Sequence, residues 1–325
     1  IRDRFNDERF LRIVDENVRN MMAIEDSALN VHDEFRARPA SGWSCSYLYR
    51  WRRGADGTEE QEKRLTNDIT TSSVIGVAIA LYLIQLMDNA NEASEPRPEI
   101  ETLLCRVAEY YFDDFNIAES GSCVLQPWEE REEPLNHVAI YAILLILVGL
   151  IKPNNDYIAR AKELCQYIKS FFAYEESGCV FWPYRNDPSA VRIVGERYWK
   201  STWIVLLVSL CRKCDVYFEQ KDVEDILLSL RTNLVRDGEV YESLCRRDGR
   251  LLDEEVIEYH RQRGQLASLP RFLNFAHLNS LQGGVANEVC KAMLNNPYLS
   301  KYVQQFHGQE ATSLLEAMST LIDPT

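Results

Sequence analysis

The sequence lacks an excess of positive charge, a long hydrophobic run and a recognisable membrane segment. It carries 36 Lys and Arg residues against 50 Asp and Glu residues, for a formal net charge of -14 at pH 7. A general nucleic-acid-binding protein presents a basic surface, so this composition argues against nucleic acid as a partner. The longest apolar run, at 138–151, is shorter than the ~20 residues needed to cross a bilayer. We therefore expect no transmembrane segment.

Several catalytic and metal-binding signatures are also missing. We find no Gly-x-Ser-x-Gly nucleophile elbow, no phosphate-binding loop and no dinucleotide fingerprint. The nine cysteines are an odd number in a large chain, which favours reduced, buried thiols in a cytoplasmic protein over a disulfide scaffold. The pair Cys211 and Cys214 has no second pair to complete a zinc site. The sequence thus predicts no metal site and no cofactor. The chain begins at Ile1 without a signal peptide, and the native N-terminus stays open.

A short glycine-containing phrase recurs along the chain. We call its copies the Gly-aromatic phrases; they lie at 41–43, 119–128, 176–184 and 237–241. Their glycines, Gly42, Gly121, Gly178 and Gly238, are about 79, 57 and 60 positions apart. A period of this size indicates one supersecondary unit repeated several times.

Two kinds of predicted helix alternate between the phrases. The segments 74–87, 138–151 and 203–211 are apolar on nearly all sides and must be covered. The segments 100–112, 157–172 and 223–235 carry apolar residues every three or four positions, which is typical of a helix with one buried face. Further predicted helices lie at 8–22, 25–35, 266–278, 285–293 and 310–321.

This alternation predicts an all-α fold: an α/α toroid of five to six αα-hairpins, with short extended Gly-aromatic turns at one end. We expect a single domain over residues 1–325. Its repeat core spans about 40–245, and 1–39 and 246–325 form closing or flanking helices. Each phrase leads from an outer helix into an inner one, so the N-termini of the inner helices share one rim of the ring. Helix N-termini favour anions, which places a predicted binding site at this rim.

The stretches 177–189 and 199–207 resemble a prenyltransferase/squalene-cyclase repeat, in which a Gly-Trp turn leads through a threonine into an apolar helix. Thr71 and Thr202 match that threonine. The resemblance covers about residues 40–245 and implies the α/α toroid of terpenoid cyclases and protein prenyltransferases.

The catalytic motifs of that family are not matched. The Asp-x-Asp-Asp acid of proton-initiated cyclases is missing, and Asp113-Asp114-Phe115-Asn116 is the nearest segment. Asn186, Ser189 and Glu196 are wrongly spaced for the metal motif of the ionising cyclases. No Asp-x-Cys segment matches the prenyltransferase zinc site. The resemblance therefore implies the fold of that family but not its enzymatic activity.

Three residues are candidate catalytic groups. His137 begins an inner helix, where it is either a general acid or base or a capping, packed histidine. Glu196 and Tyr198 begin the next inner helix, where a carboxylate beside a phenol suits proton transfer. In the alternative interpretation, Glu196 pairs with Arg197 or Lys200 and starts the helix.

Arginine and aromatic residues near the phrases are candidate ligand-binding groups, because guanidinium groups suit phosphates and carboxylates and indoles suit sugar faces or cations. They are Arg50, Trp51, Trp128, Trp182, Tyr184, Arg185 and Trp199. Surface salt pairing with the acidic residues of the same loops is the alternative.

These observations favour a helical toroid that recognises an anionic or apolar, isoprenoid-like small ligand or a protein partner at an Arg- and aromatic-lined mouth, without catalysis. One alternative is a terpenoid cyclase or prenyltransferase-like enzyme with degenerate motifs. The other is a lyase or hydrolase of acidic polysaccharides. Whether the protein is an enzyme therefore stays open from sequence alone.

Overall fold

The computed structural model describes residues 8–44, 47–53, 59–88, 97–118, 121–126, 131–186, 194–247, 249–262 and 284–298. Nine α-helices lie in these ranges: α1 (Glu8–Ala23), α2 (Ile69–Asp88), α3 (Arg97–Glu109), α4 (Leu135–Ile151), α5 (Asn155–Ser170), α6 (Tyr198–Cys214), α7 (Gln220–Ser229), α8 (Glu254–Gln262) and α9 (Val285–Asn295). A 3-10 turn, Phe112–Asp114, follows α3, and a π-helical turn, Leu230–Leu234, extends α7.

Eleven short strands accompany the helices in the described ranges and form only small antiparallel sheets. The pairs are β1 (His32–Asp33) with β2 (Arg38–Pro39), β3 (Tyr47–Arg53) with β4 (Glu59–Leu65), β8 (Ala173–Tyr174) with β9 (Val180–Phe181), and β10 (Val235–Arg236) with β11 (Glu239–Val240). The three-stranded sheet is β5 (Phe115–Ala118), β6 (Gly121–Gln126) and β7 (Arg131–Glu132). The described residues are therefore mostly helical, as predicted, and they carry small antiparallel sheets in addition to the predicted short extended turns.

The predicted alternation of helix types is present in the structure. Every residue of α4 from 138 to 149 is buried, as an entirely apolar helix requires. Helices α3, α5 and α7 instead alternate buried and exposed residues along their length. The predicted helices at 8–22 and 285–293 are confirmed as α1 and α9.

The contacts divide the chain into two compact units. Unit 1 comprises residues 1–133 and 137–167, and unit 2 comprises 134–136 and 168–325. In unit 1, the ring of Tyr111 packs edge-on against Tyr141 of α4 with centroids 5.5 Å apart, and the Tyr141 hydroxyl donates to the Ala108 carbonyl. In unit 2, Phe172 lies between Trp182 and Phe218, with ring centroids 5.1 and 6.0 Å away.

Three of the Gly-aromatic phrases lie in hairpins between consecutive helices: α3 and α4, α5 and α6, and α7 and α8. Gly121 begins β6, and Gly178 and Gly238 lie in the turns of the β8–β9 and β10–β11 hairpins. In the last of these, Asp237 has φ 52° and Gly238 has φ 83°. A two-residue turn with both φ values positive matches the right-handed twist of a hairpin, and the Asp-Gly pair suits it.

The hairpin segment of one repeat caps the buried helix of the repeat before it. The first residue of α4, Leu135, donates its N–H to the Tyr184 carbonyl at 3.0 Å. In the same way the first residue of α6, Tyr198, donates to the Glu242 carbonyl at 2.9 Å. The same kind of backbone hydrogen bond therefore occurs at the starts of α4 and α6.

Parts of the N-terminal prediction were wrong. Residues 25–35 form turns and strand β1 instead of a helix, because Asp33 accepts the N–H groups of Phe35 and Arg36 and holds the chain in a turn. Residues 47–65 carry the unpredicted hairpin of β3 and β4. The predicted helices at 266–278 and 310–321 lie outside the described residues. Ring closure and the single domain stay predictions.

No helix in the described ranges combines the length and apolar character that a bilayer crossing requires. The eight cysteines in those ranges are free thiols, and seven of them are buried.

Substituting Gly42 should destabilise the protein more than substituting Gly238. Both glycines have positive φ, of 126° and 83°, so alanine is strained at either position, by roughly 1–2 kcal/mol. A methyl group at Gly42 would also lie 2.4 Å from Ser72 Oγ and 2.9 Å from Asn67 Nδ2, whereas Gly238 has open space within 4 Å. We expect Gly42→Ala to lose about 1–3 kcal/mol more than Gly238→Ala, as measured by urea unfolding. Equal losses would show that the contacts at Gly42 are not tightly packed.

Candidate functional site

Four side chains at the start of α6 form a basic and aromatic surface in unit 2, which we call the α6 entrance. They are Tyr184, Arg185, Arg197 and Lys200. The Lys200 ammonium lies 3.5 Å from the centroid of the Tyr184 ring, and the Arg185 guanidinium carbon lies 5.9 Å from it. Tyr184, Arg185 and Lys200 are each partly exposed. A cation this close to an aromatic face is attracted by the negative charge of the ring face.

The local sequence fixes this arrangement. Glu196 donates its N–H to the Trp182 carbonyl at 2.7 Å, which ties the segment before α6 to the preceding phrase. Arg197 is the N-cap of α6, so Lys200 is in its first turn. The partial positive charge of a helix N-terminus adds to these cations, and the combined field favours an anion.

Four sequence-predicted residues in this region belong to the interior. Trp182 and Trp199 are 1% and 2% exposed, Tyr198 is 0% exposed and Glu196 is 5% exposed. Burial raises the pKa of the Tyr198 phenol well above its usual range, and the charge of Glu242 acts in the same direction. These four side chains form the interior support of the α6 entrance, and only Tyr184 and Arg185 of the predicted ligand-binding set are partly exposed there.

Glu242 lies beneath the α6 entrance and is compensated by cations. Its carboxylate accepts from Arg250 Nε at 2.8 Å, lies 3.3 Å from His260 Nε2, and lies 3.6 Å from Arg197 Nη1. Burial acts to raise the pKa of Glu242, but the hydrogen bonds from His260 and Arg250 and the charge of Arg197 outweigh it, so this pKa is lowered. His260 also packs edge-on against Trp199 with centroids 4.5 Å apart. This network is structural support for the start of α6.

A second set of polar groups meets in unit 1, and we call it the carboxylate–histidine cluster. It consists of Asp68, Glu133 and His137, which each offer one ligand atom within 4.8 Å of the others. Asp68 precedes α2 and accepts the N–H and the hydroxyl of Thr71, each at 3.0 Å. His137 is in the first turn of α4, and Glu133 lies just before that helix. Asp and Glu oxygens together with an imidazole nitrogen form a donor set that binds divalent metals.

Glu133 is held firmly within the cluster. Its side chain is 2% exposed, its Oε2 lies 2.9 Å from His137 Nδ1, and the same oxygen accepts from Gln126 Nε2 at 3.0 Å. Burial raises the pKa of the Glu133 carboxyl and the charge of Asp68 acts in the same direction, against the lowering effects of His137 and Gln126. The imidazole of His137 is 21% exposed. An oriented, partly exposed imidazole is able to accept or donate a proton.

For the remaining predicted ligand-binding residues, the structure gives backbone positions for Arg50 and Trp51 alone. Arg50 and Trp51 lie in β3, opposite Glu62 and Gln61 of β4 in the backbone register. Trp128 lies outside the described residues.

Sequence reasoning missed Lys200, Glu133 and Asp68 as candidate site residues. Two sequence features could have indicated them: the lysine at position 200 near a helix start, and the i, i+4 spacing of Glu133 and His137. Asp68 is 65 positions before Glu133, and no local pattern brings these two together.

Comparisons of this chain with protein-family models, curated proteins and solved structures gave no match. The resemblance to the prenyltransferase/squalene-cyclase repeat therefore stays a prediction.

Replacing Glu242 by Gln should destabilise the protein near neutral pH. The change leaves Arg197, Arg250 and His260 without the carboxylate that they share. An uncompensated buried polar group costs about 1–3 kcal/mol. Because Arg250 is 48% exposed, we expect the lower part of that range. The matched control is Glu258→Gln, which removes an exposed pair with Arg261 and should leave the stability close to that of the parent.

The same substitution should also change the pH dependence of stability. The pKa of Glu242 is lowered in the folded state, so its contribution is present above the unfolded-state pKa and is lost as pH falls through the folded-state pKa. Urea unfolding between neutral and acid pH should show a smaller loss of stability for Glu242→Gln than for the parent. Parallel curves for the two proteins would contradict the assigned network.

Proposed function

We propose that this protein is a ligand-recognition protein that binds an anionic group, a carboxylate or a phosphate, at the α6 entrance. The observation that carries the proposal is the Lys200 ammonium 3.5 Å from the centroid of the partly exposed Tyr184 ring, beside Arg185. Ammonium and guanidinium groups bind anions by charge-assisted hydrogen bonds. The Tyr184 ring adds a flat surface for an apolar or sugar portion of the same ligand.

The electrostatics of the surroundings support an anionic ligand at this place. The formal net charge of the whole chain is -14, so three basic side chains around one helix start are a local exception. Glu242, the buried acid beneath them, pairs with Arg250, His260 and Arg197. Lys200 and Arg185 are not part of that network.

For the architecture, we propose the closed α/α toroid of five to six αα-hairpins. Its support is the alternation of amphipathic helix, Gly-containing hairpin and buried helix, together with the hydrogen bond from each hairpin segment to the preceding helix at Leu135 and Tyr198. Repeats joined to their neighbours in this manner build solenoids or rings.

Catalysis is the second candidate function, and the pair of Glu133 and His137 favours it. A buried carboxylate 2.9 Å from a partly exposed imidazole orients the ring for proton transfer. This observation supports a lyase or hydrolase of acidic polysaccharides more than an isoprenoid cyclase, because the cyclase needs an acid within an apolar cavity. Turnover of alginate-type polymers, or of geranylgeranyl diphosphate, would establish an enzyme of one class or the other.

Removing the charge of Lys200 should weaken anion binding about 10- to 100-fold, because one charge-assisted hydrogen bond is worth about 1.5–3 kcal/mol and 1.4 kcal/mol is tenfold. The measurement is calorimetric titration with inorganic pyrophosphate at low ionic strength. We expect a similar loss for Arg185→Gln and a loss of binding as salt is added.

The matched control is Lys213→Gln, which removes an exposed charge from the C-terminal end of the same helix. It should bind pyrophosphate as the parent does. Equal affinities for the parent, Lys200→Gln and Lys213→Gln would rule out the α6 entrance as the anion site.

A further inference from the structure

We propose that Asp68, Glu133 and His137 form a binding site for a divalent transition-metal ion of the Mn²⁺ or Zn²⁺ type in unit 1. This inference goes beyond the proposed anion recognition, because it concerns other residues in another unit and stands on different observations.

The first observation is the donor set and its compactness. One imidazole nitrogen and two carboxylate oxygens lie within 4.8 Å of one another. Ligands of Zn²⁺ sit about 2.0–2.2 Å from the ion at the corners of a tetrahedron, so two ligand atoms are about 3.4 Å apart. The side chains must therefore close by up to about 1.4 Å to enclose an ion, a distance that rotation of their terminal bonds can supply.

The second observation is the charge of the cluster. Asp68 and Glu133 form no ion pair with any Lys or Arg of the described residues, and the basic group beside Glu133 is the His137 imidazole. Two other buried acids have an arginine beside them: Asp33 is paired with Arg36 at 2.6 Å and Glu242 with Arg250 at 2.8 Å. Burying a carboxylate without a compensating cation is costly. A bound divalent cation would supply the missing charge.

The third observation is that neighbouring groups hold the two carboxylates in place by hydrogen bonds. Thr71 donates its N–H and its hydroxyl to Asp68 Oδ2, and Gln126 donates its amide to Glu133 Oε2. Both Asp68 and Glu133 are also anchored next to helix starts, at α2 and α4. Metal sites commonly have such outer partners, which orient the ligands and raise the affinity.

The donor set also indicates which ion would bind. Imidazole suits Fe, Ni, Cu and Zn, and carboxylates suit Mn, whereas Mg²⁺ and Ca²⁺ sites consist of oxygen ligands. One His with two carboxylates therefore favours a transition metal. Mn²⁺ is the better first probe here, because the nine cysteines of the chain offer soft thiolates that bind Zn²⁺ and not Mn²⁺.

The test is a titration of the metal-stripped protein with MnCl₂, followed by electron paramagnetic resonance of the free ion. We expect one Mn²⁺ bound per chain, and at least tenfold weaker binding in Asp68→Asn, Glu133→Gln and His137→Ala. Gln126→Ala should weaken binding about 10–100-fold, as loss of an outer partner does. Zn²⁺ should displace the bound Mn²⁺ by the order of metal affinities.

Two controls match the chemistry of the removed ligands. His32→Ala and Glu163→Gln replace an exposed His and an exposed Glu elsewhere in unit 1, and they should bind Mn²⁺ as the parent does. Circular dichroism of each metal-free variant checks folding; Glu133→Gln is the most informative variant, since it keeps the shape of the side chain and removes only its charge.

The outcomes separate this inference from the proposed function. If Mn²⁺ does not bind the parent at millimolar concentration, or if His137→Ala binds it unchanged, the metal site is wrong. Pyrophosphate binding that depends on Lys200 would still support the α6 entrance. Conversely, Mn²⁺ binding that depends on His137 without any binding of pyrophosphate would support the metal site alone.

Discussion

A helix that begins inside a protein leaves backbone N–H groups that need partners there, and this constraint organises the repeats of the chain. The hairpin segments supply the partners, at Leu135 from the Tyr184 carbonyl and at Tyr198 from the Glu242 carbonyl. An unpaired buried N–H would cost about 1–3 kcal/mol, so a buried helix such as α4 depends on the hairpin that follows it. The valines of the three hairpin phrases, Val124, Val180 and Val240, are each at most 1% exposed and anchor those segments in the core.

The N–H groups at the starts of buried helices also favour acidic side chains nearby. Glu133 and Glu196 each lie two positions before a buried helix and are nearly inaccessible to solvent. The positive end of a helix stabilises a nearby carboxylate by about 0.3–1 kcal/mol, so an acid at this position has a structural reason to be there. Position alone therefore does not separate a supporting acid from a functional one. Each acid must be judged by the charges that surround it.

The helix types and the extended turns at the glycines could be predicted from the sequence because both depend on residues close together in the chain. Helix α4 is apolar throughout, and Gly178 and Gly238 mark turns that need positive φ. The segment 25–35 was misassigned because its helical pattern is overridden by the side chain of Asp33, which bonds to three other parts of unit 1 through Arg36, Thr66 and Tyr110. Trp182 and Trp199 were predicted to bind ligand because aromatic residues suit both cores and sites, and only packing distinguishes the two. The meeting of Asp68 with Glu133 required the tertiary structure.

Glu242 and Glu133 are both buried glutamates, but the charges around them differ. Glu242 has Arg250, Arg197 and His260 around it, and its pKa is lowered; the fold itself stabilises this charge. Glu133 is as deeply buried, faces a second acid, and has its pKa raised. A glutamine at position 133 would fill the same space and relieve that repulsion, so within unit 1 it is the positive end of α4 that favours a carboxylate there. The cation proposed above would favour it further, because two negative charges beside an imidazole attract a divalent ion.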